Sequence, residues 1–420
     1  MNSSDHIIAK WLSDHEASIT AVADYIFRHP ETAYKETLSS GCLADFLEAG
    51  GFQIAWKTAG INTAFTASWG KGKPAIGFLA EYDALAEIGH ACGHNLLGTA
   101  VAASACALKA YMEVSGMDGT LHVFGCPAEE IMSGKIIMNR QGVFDGLDAA
   151  VTWHPFDRNR VSNDIWQSQD IKNYIFRGVS AHASRSPEEG RSALDACELM
   201  NVGVNYLREH VPQDVRMHYA YKDNGLPANV VPDYAQTNYF IRSSKRSRTE
   251  DASSRVDDCA RGAALMTGTE LEIELVGSCK EMKVNRVLSE IYYDAMTRVP
   301  VPEYTEDEIR FAAQISEEAG LDNGGIYFQG LEPLEQEPVP ISIGTDVSEV
   351  SHTIPTITLS AAAMCRGTPL HHWAAARQAG MSIGRKGMLY AARCMAEGTK
   401  QLIEKPENLQ DAWKYHLGTG

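Results

Sequence analysis

The sequence lacks long apolar segments and repeats. No window reaches the roughly 18 to 20 consecutive apolar residues that a membrane helix needs. The first residues, MNSSDHIIAKWLSDHEAS, have no basic start, apolar middle or small-residue cleavage site of a secretory signal. Internal repeats and low-complexity tracts are absent as well. We therefore expect a globular cytoplasmic protein that does not insert into a membrane.

Positive charge is also scarce. The chain has 37 lysine and arginine residues against 54 aspartate and glutamate residues, which gives a formal net charge of −17. Nucleic-acid binding needs clustered positive charge to contact phosphates. The one basic cluster, RSSKRSR from Arg242 to Arg248, is short and is interpreted as a solvated loop. We expect no nucleic-acid partner.

The nine cysteines are an odd number and show no disulfide framework. Cys106, Cys197 and Cys394 stand in segments rich in alanine and leucine that are typical of helices. There a reduced thiol serves as a small apolar group. This usage predicts a reducing compartment.

A length of 420 residues predicts two or three domains. Over residues 1–168 strands and helices alternate, which favours a mixed or parallel sheet covered on both faces. Residues 169–283 follow the order strand, helix, two strands, helix and strand, which indicates an inserted α+β module. Residues 284–420 return to the first domain and end in a long helix from about His371 to Ile403. The predicted fold is an α/β mixed-sheet domain carrying this insertion.

Polar side chains that can do chemistry follow several predicted strands. In open α/β sheets, functional groups gather where strands reach their carboxyl ends. The candidates are Asp83, Cys92, His94, Glu129, Glu130 and His154, with the pair His371 and His372 before the last helix. Each alone has a plain alternative, because a histidine near a strand end is often only hydrogen-bonded and adjacent glutamates often mark a solvated turn.

The glutamate pair favours a metal site over a solvated turn. Glu129 and Glu130 come directly after an apolar strand and Pro127, and Ile131 and Met132 follow them. Two carboxylates in such surroundings are costly unless a cation balances them. Thiolate, imidazole and carboxylate together suit Zn²⁺ or Mn²⁺, and the donors suffice for one or two ions. The glutamate that is not a ligand can act as general base, which is the arrangement of a metallohydrolase.

Five blocks of the sequence resemble a known family: EYDAL…GHACGHNLLGTA; GCPAEE…SGK…GVFDGLDAAVTWHP; SAHASRSPEEGRSALDA; NVVP; and GTDVSEVS…GTPLHHW…SIGRKGM. They are similar to the aminoacylase and carboxypeptidase-G superfamily of metallopeptidases. Within it they look like the branch of aminobenzoyl-glutamate hydrolase and the auxin-conjugate amidohydrolases, which also includes a nitroanthranilate aminohydrolase. The resemblance covers nearly the whole chain and implies a homodimer.

The resemblance assigns a role to most of the candidates. It implies that Glu129 is the catalytic base and that Asp83 orients a metal ligand. The metal ligands that it implies, for Mn²⁺ or Zn²⁺, are Cys92, His94, Glu130, His154 and His371.

The inserted module resembles the lid of that family, through which its members form dimers. His182 matches the lid histidine that reaches into the partner's active site and stabilises the oxyanion. Asn229 and Arg242 match residues that hold the substrate carboxylate, for which a bidentate guanidinium is well suited.

The sequence departs from its relatives near the expected substrate. Ile131 and Met132 replace small residues and would narrow the pocket beside the metal, whereas Arg366 and His352 stand where relatives have apolar residues and could contact an anionic or aromatic substrate. His90 and His372 receive no role.

The first expectation is an amidohydrolase acting on an aminobenzoyl-glutamate-like amide. The alternatives are an aromatic-amine hydrolase that releases ammonia, a dipeptidase, and a binding protein without activity.

Overall fold

A computed structural model describes residues 6–225, 227–321 and 330–419 of the chain. The chain divides into two compact units. The large unit comprises Met1–Asp164, Lys283–Val339 and Val350–Gly420, and the small unit comprises Ile165–Met282 and Pro340–Glu349.

The segment Pro340–Glu349 was expected in the last part of the sheet domain, 284–420, but it belongs to the small unit. Its backbone explains this placement. The N–H of Ile341 donates to the carbonyl of Ile165 at 3.1 Å, and the N–H of Gln167 donates to the carbonyl of Ile343 at 2.7 Å. Paired backbone groups therefore tie the segment to the first strands of the small unit.

The described residues form the following helices: α1 Ile7–Asp14, α2 Glu16–Arg28, α3 Thr37–Ala49, α4 His94–Ser115, α5 Gly134–Arg140, α6 Ala193–Leu207, α7 Arg246–Thr267, α8 Arg286–Arg298, α9 Glu306–Glu318, α10 Val347–Thr353, α11 Trp373–Ala379, α12 Ser382–Glu404 and α13 Pro406–Leu417. Their strands are β1 Gln53–Trp56, β2 Phe65–Lys71, β3 Ala75–Glu81, β4 Gly119–Cys126, β5 Ala149–Phe156, β6 Arg160–Val161, β7 Asp164–Ile165, β8 Ser168–Arg177, β9 Ala181–His182, β10 Arg216–Asp223, β11 Val230–Val231, β12 Tyr234–Ser243, β13 Glu270–Cys279, β14 Val339–Pro340 and β15 Thr356–Ala362.

The large unit is built on a seven-stranded mixed sheet of order β1-β2-β4-β3-β5-β15-β6, which confirms the predicted α/β class. The four strands β3, β4, β5 and β15 run parallel. The pairs β1–β2, β2–β4 and β6–β15 are antiparallel. Every residue of β3 and β15 is buried, because helices cover this part of the sheet and leave no face for water.

Two helices carry most of the packing against this sheet. Helix α4 contacts β3, α12 contacts β15, and the two helices contact one another. The single helix expected from His371 to Ile403 is in fact two, α11 and α12. Gly380 ends the first because glycine has low helix propensity, and Met381 then adopts an extended backbone (φ −108°, ψ 169°) before the second begins.

The small unit is a four-stranded antiparallel sheet of order β10-β12-β8-β13 with helices α6 and α7 packed on it. Its core is separate from that of the large unit and is made by the apolar faces of these elements. The short strands β9 and β11 form an additional antiparallel ribbon. Apart from these two short strands, the elements follow in the order β8, α6, β10, β12, α7 and β13.

The basic cluster of the sequence is not a solvated loop. Arg242 lies in β12, and Arg246 and Arg248 lie in the first turn of α7. Arg246 donates to Asp170 at 2.7 Å, and Arg248 donates to Asp214 at 2.8 Å. Acidic partners within the fold therefore compensate these charges.

The cysteines are all free thiols. Cys106, Cys197 and Cys394 are buried in α4, α6 and α12, where they act as the small apolar groups that the sequence predicted. Among the helices of the described residues, none combines the length and the apolarity needed to cross a bilayer.

Candidate active site

Three neighbouring strands of the large unit deliver candidate residues to one edge of the sheet. Glu81, the last residue of β3, is in register with Cys126, the last residue of β4. On the other side of β3 lies β5, which carries His154 near its end. Because parallel strands end at the same edge, these residues and the loop after Cys126 meet there.

The turn that starts α4 places Cys92 and His94. Between them, Gly93 has a left-handed backbone (φ 73°), which glycine adopts without strain, and His94 is the first helical residue. The helix lies so close to β3 that a Cβ at Gly98 would stand 2.4 Å from the carbonyl oxygen of Glu81. This approach brings the buried Cys92 and His94 beside the end of β3.

The five predicted metal ligands form two overlapping groups. The donor atoms of Cys92, His94 and His154 lie within 4.8 Å of one another, and so do those of Cys92, Glu130 and His371. Cys92 belongs to both groups. A thiolate at this position can bridge two cations, each with its own set of protein donors.

Asp83 connects the two groups through hydrogen bonds. Its Oδ1 is 2.9 Å from Nδ1 of His94, and its Oδ2 accepts the backbone N–H of Glu130 at 2.9 Å. With Nδ1 donating to Asp83, the other ring nitrogen of His94 faces the centre of the cluster. Through these two bonds Asp83 could orient His94, which is the role that the family resemblance implies for it.

Glu129 lies beside the ligands and is 6% exposed. Its Oε2 is 3.9 Å from Nε2 of His94. Together with Glu81 these residues form a third group whose donor atoms lie within 4.8 Å of one another. A carboxylate in this position can take a proton from a water molecule held in the cluster.

The charges of the cluster set the protonation of its members. Burial lowers the pKa of His94, but the bond to Asp83 and the nearby carboxylates outweigh it and hold this pKa well above its usual value. Burial, together with the charge of His94, lowers the pKa of His154 to about 4. Burial raises the pKa of Glu130, but the hydrogen bond with His371 and the charge of His94 bring it down to about 2. Near neutral pH, Glu130 is therefore ionised and His154 neutral, the states in which both can bind a metal.

The cluster fits a divalent cation. The side chains of Glu81, Asp83 and Glu129 are almost completely buried and are accompanied by one buried lysine, Lys135. Among the described residues, Nε2 of His94 has no hydrogen-bond partner, although Oε2 of Glu81 is only 3.3 Å away. A cation here would offset the excess negative charge and take this nitrogen as a ligand.

The loop that carries Glu129 and Glu130 is strained. Ala128 and Met132 have positive φ values of 60° and 53°, and the predicted ligand His371 has a positive φ of 57°. For residues other than glycine, such conformations cost about 1–3 kcal/mol each and cluster at functional sites. The carboxylate of Glu36 helps to hold the loop, because its Oε1 accepts the N–H of Ala128 at 2.9 Å.

Glu36 makes the stability of the metal-free protein depend on pH. Burial raises its pKa from 4.5 to about 7, with Asp83 adding to the rise and backbone N–H groups opposing it. The folded protein therefore retains a proton that the unfolded chain releases above about pH 4.5. This contribution is complete below pH 4.5 and is lost as the pH rises through about 7, a change of up to about 3 kcal/mol.

We expect Glu36→Gln to flatten this dependence. Urea unfolding of the metal-free protein at pH 5 and pH 7.5 measures it, because glutamine remains neutral at both values. The exposed Glu48 provides a matched control, and Glu48→Gln should keep the wild-type pH dependence. An identical pH dependence in Glu36→Gln and wild type would show that Glu36 does not titrate in this range.

The lid residues predicted from the sequence lie in the small unit. His182 is the last residue of β9, and its Nδ1 accepts the backbone N–H groups of Ser184 and Arg185 at 3.3 and 3.2 Å. Backbone N–H groups only donate, so in the neutral ring the proton stands on Nε2. The exposed imidazole is thereby prepared to donate a hydrogen bond through Nε2.

Asn229 and Arg242 lie in the same unit. Asn229 is exposed, and its carbonyl accepts the N–H of Ala183 at 3.0 Å. The guanidinium of Arg242 stands 5.5 Å from the ring of Phe240, and its buried Nε has no hydrogen-bond partner among the described residues. Burial lowers the pKa of Arg242. This group has donor capacity left for an anion.

The residues that depart from the family pattern lie in two loops of the large unit and, in the case of His352, in helix α10. Arg366 is exposed in the turn that follows β15. Ile131 and Met132 are half-buried in the strained loop next to the two glutamates.

His90 and His372, the two histidines left without a role, both have structural contacts. His90 is buried and its Nε2 bonds the carbonyl of Ile26 at 3.1 Å. His372 caps helix α11, where its Nδ1 accepts the N–H of Ala374 at 3.3 Å.

Sequence reasoning did not include Glu81, Lys135 or Glu36 among the site residues. Glu81 is the one charged residue of the apolar strand AIGFLAE, and Lys135 follows serine and glycine in the motif SGK. A carboxylate that ends an otherwise apolar strand requires a partner. The sequence therefore contains a signal that could have identified Glu81. Glu36 has no comparable signal, because only the fold brings it to the loop.

Known proteins similar to this chain are hydrolases. A p-aminobenzoyl-glutamate hydrolase chain of Escherichia coli (strain K12) is 37% identical over an alignment of 439 positions, which covers 94% of this chain and 91% of that protein. Xaa-Arg dipeptidase of Mus musculus is 32% identical, covering 63% of this chain and 64% of that protein. A dinuclear metal-binding peptidase of the M20 family from Bacillus subtilis has a TM-score of 0.61 at 16% identity, with 93% and 99% of the two chains covered. No family model matches.

Fold, donor cluster and relatives define a metal-dependent hydrolase that acts on carbon–nitrogen bonds and uses a divalent metal ion. The chain belongs to the aminoacylase and carboxypeptidase-G superfamily of metallopeptidases, in the branch that contains aminobenzoyl-glutamate hydrolase.

Proposed function

We propose that this enzyme hydrolyses an amide of the aminobenzoyl-glutamate type, a small aromatic acyl group joined to an amino acid, in the cytoplasm. One observation carries the proposal: two groups of metal donors share Cys92, and Glu129 stands beside them. The similarity to the Escherichia coli hydrolase over nearly the whole chain supports the substrate class.

The two donor groups would hold two ions, Mn²⁺ or Zn²⁺, with Cys92 between them. One set is completed by His94 and His154, the other by Glu130 and His371. Thiolate and imidazole suit Zn²⁺, while the carboxylate suits Mn²⁺. When bound, such ions polarise a carbonyl group and lower the pKa of water toward 7.

Glu129 is the general base of the proposed reaction. It takes a proton from the attacking water, whose oxygen forms a bond to the carbonyl carbon of the amide. The carbon–nitrogen bond then breaks, and Glu129 passes the proton to the leaving nitrogen. Water is the only co-reactant, and the products are an aromatic acid and an amino acid.

The small unit would act as lid and as dimer interface. In this proposal Nε2–H of His182 donates to the developing oxyanion, from within the chain or from a second copy across a homodimer. Arg242 and Asn229 hold the carboxylate of the substrate, and Arg366 adds a positive charge at the rim. The unpaired Nε of Arg242 and the fixed tautomer of His182 support these roles.

Two other substrates have specific support. Ile131 and Met132 are bulky side chains directly after the two glutamates, where they would narrow a substrate pocket. This favours an aromatic amine such as a nitroanthranilate, because its leaving group is only ammonia. The similarity to Xaa-Arg dipeptidase favours a dipeptide.

One assay separates these alternatives. The metal-loaded enzyme is incubated with aminobenzoyl-glutamate, with substituted anthranilates and with dipeptides ending in arginine, and the release of glutamate, ammonia and arginine is measured. We expect glutamate release to have the highest kcat/KM. Ammonia or arginine release at a higher kcat/KM would overturn the proposed substrate while leaving the enzyme class intact.

A further inference from the structure

At the end of β3 the candidate centre contains a carboxylate that is not among the five predicted ligands. Oε2 of Glu81 is 3.3 Å from Nε2 of His94, and one donor atom from each of Glu81, His94 and Glu129 lies within 4.8 Å of the other two. The side chain of Glu81 is 2% exposed, so water does not screen its charge.

Glu81 and Asp83 contact opposite nitrogens of one imidazole. Asp83 takes the Nδ1 side of His94 at 2.9 Å, and Glu81 takes the Nε2 side. Once Nδ1 donates to Asp83, a neutral ring directs the lone pair of Nε2 at an oxygen that also carries lone pairs. In the metal-free protein a proton on Nε2 can stand between these two acceptors, and a bound cation would take the place of that proton.

Lys135 determines which oxygen of Glu81 is available. Its side chain is completely buried, and its Nζ is 2.8 Å from Oε1 of Glu81. With Oε1 held by the ammonium group, only Oε2 remains to face His94 and the centre. Burying a lysine completely has a high free-energy cost without such a partner. The pair of Lys135 and Glu81 therefore belongs to the structure of the site.

We propose that Glu81 is a further carboxylate of the metal centre, facing the cation at His94, and that Lys135 is a positioning residue that fixes its orientation. This inference rests on the proposed function in requiring that the centre binds divalent ions. It adds the carboxylate of Glu81, from the end of β3, to the five predicted ligands and gives Lys135 the role of orienting that carboxylate.

Metal affinity tests the inference without substrate. Metal-free protein is titrated with Mn²⁺ or Zn²⁺ against a chromogenic chelator, and bound metal is counted by plasma mass spectrometry. Glu81→Gln should weaken the binding of one ion about 10- to 100-fold, the range found when groups supporting a metal site are removed. Lys135→Met should also weaken it, because the carboxylate loses its fixed orientation.

The combination of both changes separates positioning from a general structural effect. If Lys135 acts through Glu81, the double variant Glu81→Gln/Lys135→Met will bind metal as Glu81→Gln does, with no additional loss. The ion pair of Lys109 with Glu113 in α4, 2.8 Å long, serves as control. Lys109→Met and Glu113→Gln should bind both ions as wild type does.

Circular dichroism and the thermal midpoint of the metal-free proteins show whether each variant folds. Should Lys135→Met not fold, the isosteric Glu81→Gln and the shortened Glu81→Asp still decide the matter. Wild-type affinity for both ions in folded Glu81→Gln and Glu81→Asp would overturn the inference. Failure of the wild-type protein to bind any metal would instead overturn the proposed function.

Discussion

Glu129→Gln is expected to abolish turnover and leave metal binding intact. Glutamine keeps the shape of the side chain, which lies 3.9 Å from Nε2 of His94, but cannot take a proton from water. A general base contributes about 10²- to 10⁴-fold to rate, so we expect kcat to fall by about 10³-fold or more. The measurement is kcat together with the metal content of the same preparation.

The neighbouring glutamate provides the contrast. Glu130 belongs to a donor group with Cys92 and His371, so Glu130→Gln should lose metal affinity as well as activity. Normal turnover in Glu129→Gln would disprove its role as base. Loss of metal from Glu129→Gln, with retention in Glu130→Gln, would mean that the two roles are exchanged.

His182→Ala should have the next largest effect. The backbone N–H groups of Ser184 and Arg185 fix the proton of the neutral ring on Nε2. Removing one donor to an oxyanion typically costs about 3 kcal/mol, or roughly 10²- to 10³-fold in kcat. We expect this loss in kcat, with bound metal unchanged. His218 on β10 is also exposed in the small unit, and His218→Ala should keep wild-type activity.

Mixing two inactive variants tests whether His182 acts across a dimer. Cys92→Ala removes the residue shared by both donor groups, whereas His182→Ala leaves that centre whole. If the lid histidine serves the partner's site, a mixed dimer contains one complete site, and activity returns after the protomers exchange. If mixed dimers are shown to form and activity does not return, His182 acts in the active site of its own chain.

The sequence predicted the α/β class, and together with the family resemblance it proposed the residues of the centre. Cys92 and His94 stand two positions apart around a glycine, and Glu129 and Glu130 follow an apolar strand, so the donors are visible as a local pattern. Their convergence follows from parallel strands that end at one edge. The structure brings these residues together with His154 and His371.

Other features could not be predicted from the sequence, because they depend on contacts between residues that are far apart along the chain. The pairing of Glu81 with Lys135 joins the end of β3 to α5, and no spacing rule relates positions so far apart. The hydrogen bond from Ala128 to Glu36 likewise spans most of the first domain segment. The helix break at Gly380 and the placement of Pro340–Glu349 in the small unit depend on packing and backbone pairing that local propensity does not encode.

A metal titration that follows hydrolysis tests the central claim most directly. Metal-free enzyme receives increasing Mn²⁺ or Zn²⁺ while bound metal and glutamate release from aminobenzoyl-glutamate are measured together, for wild type and for Cys92→Ala. We predict no hydrolysis without metal, saturation near two ions per chain, and severe loss of both ions in Cys92→Ala. Full hydrolysis by the metal-free enzyme, or wild-type binding of two ions by Cys92→Ala, would contradict a metal centre built around Cys92.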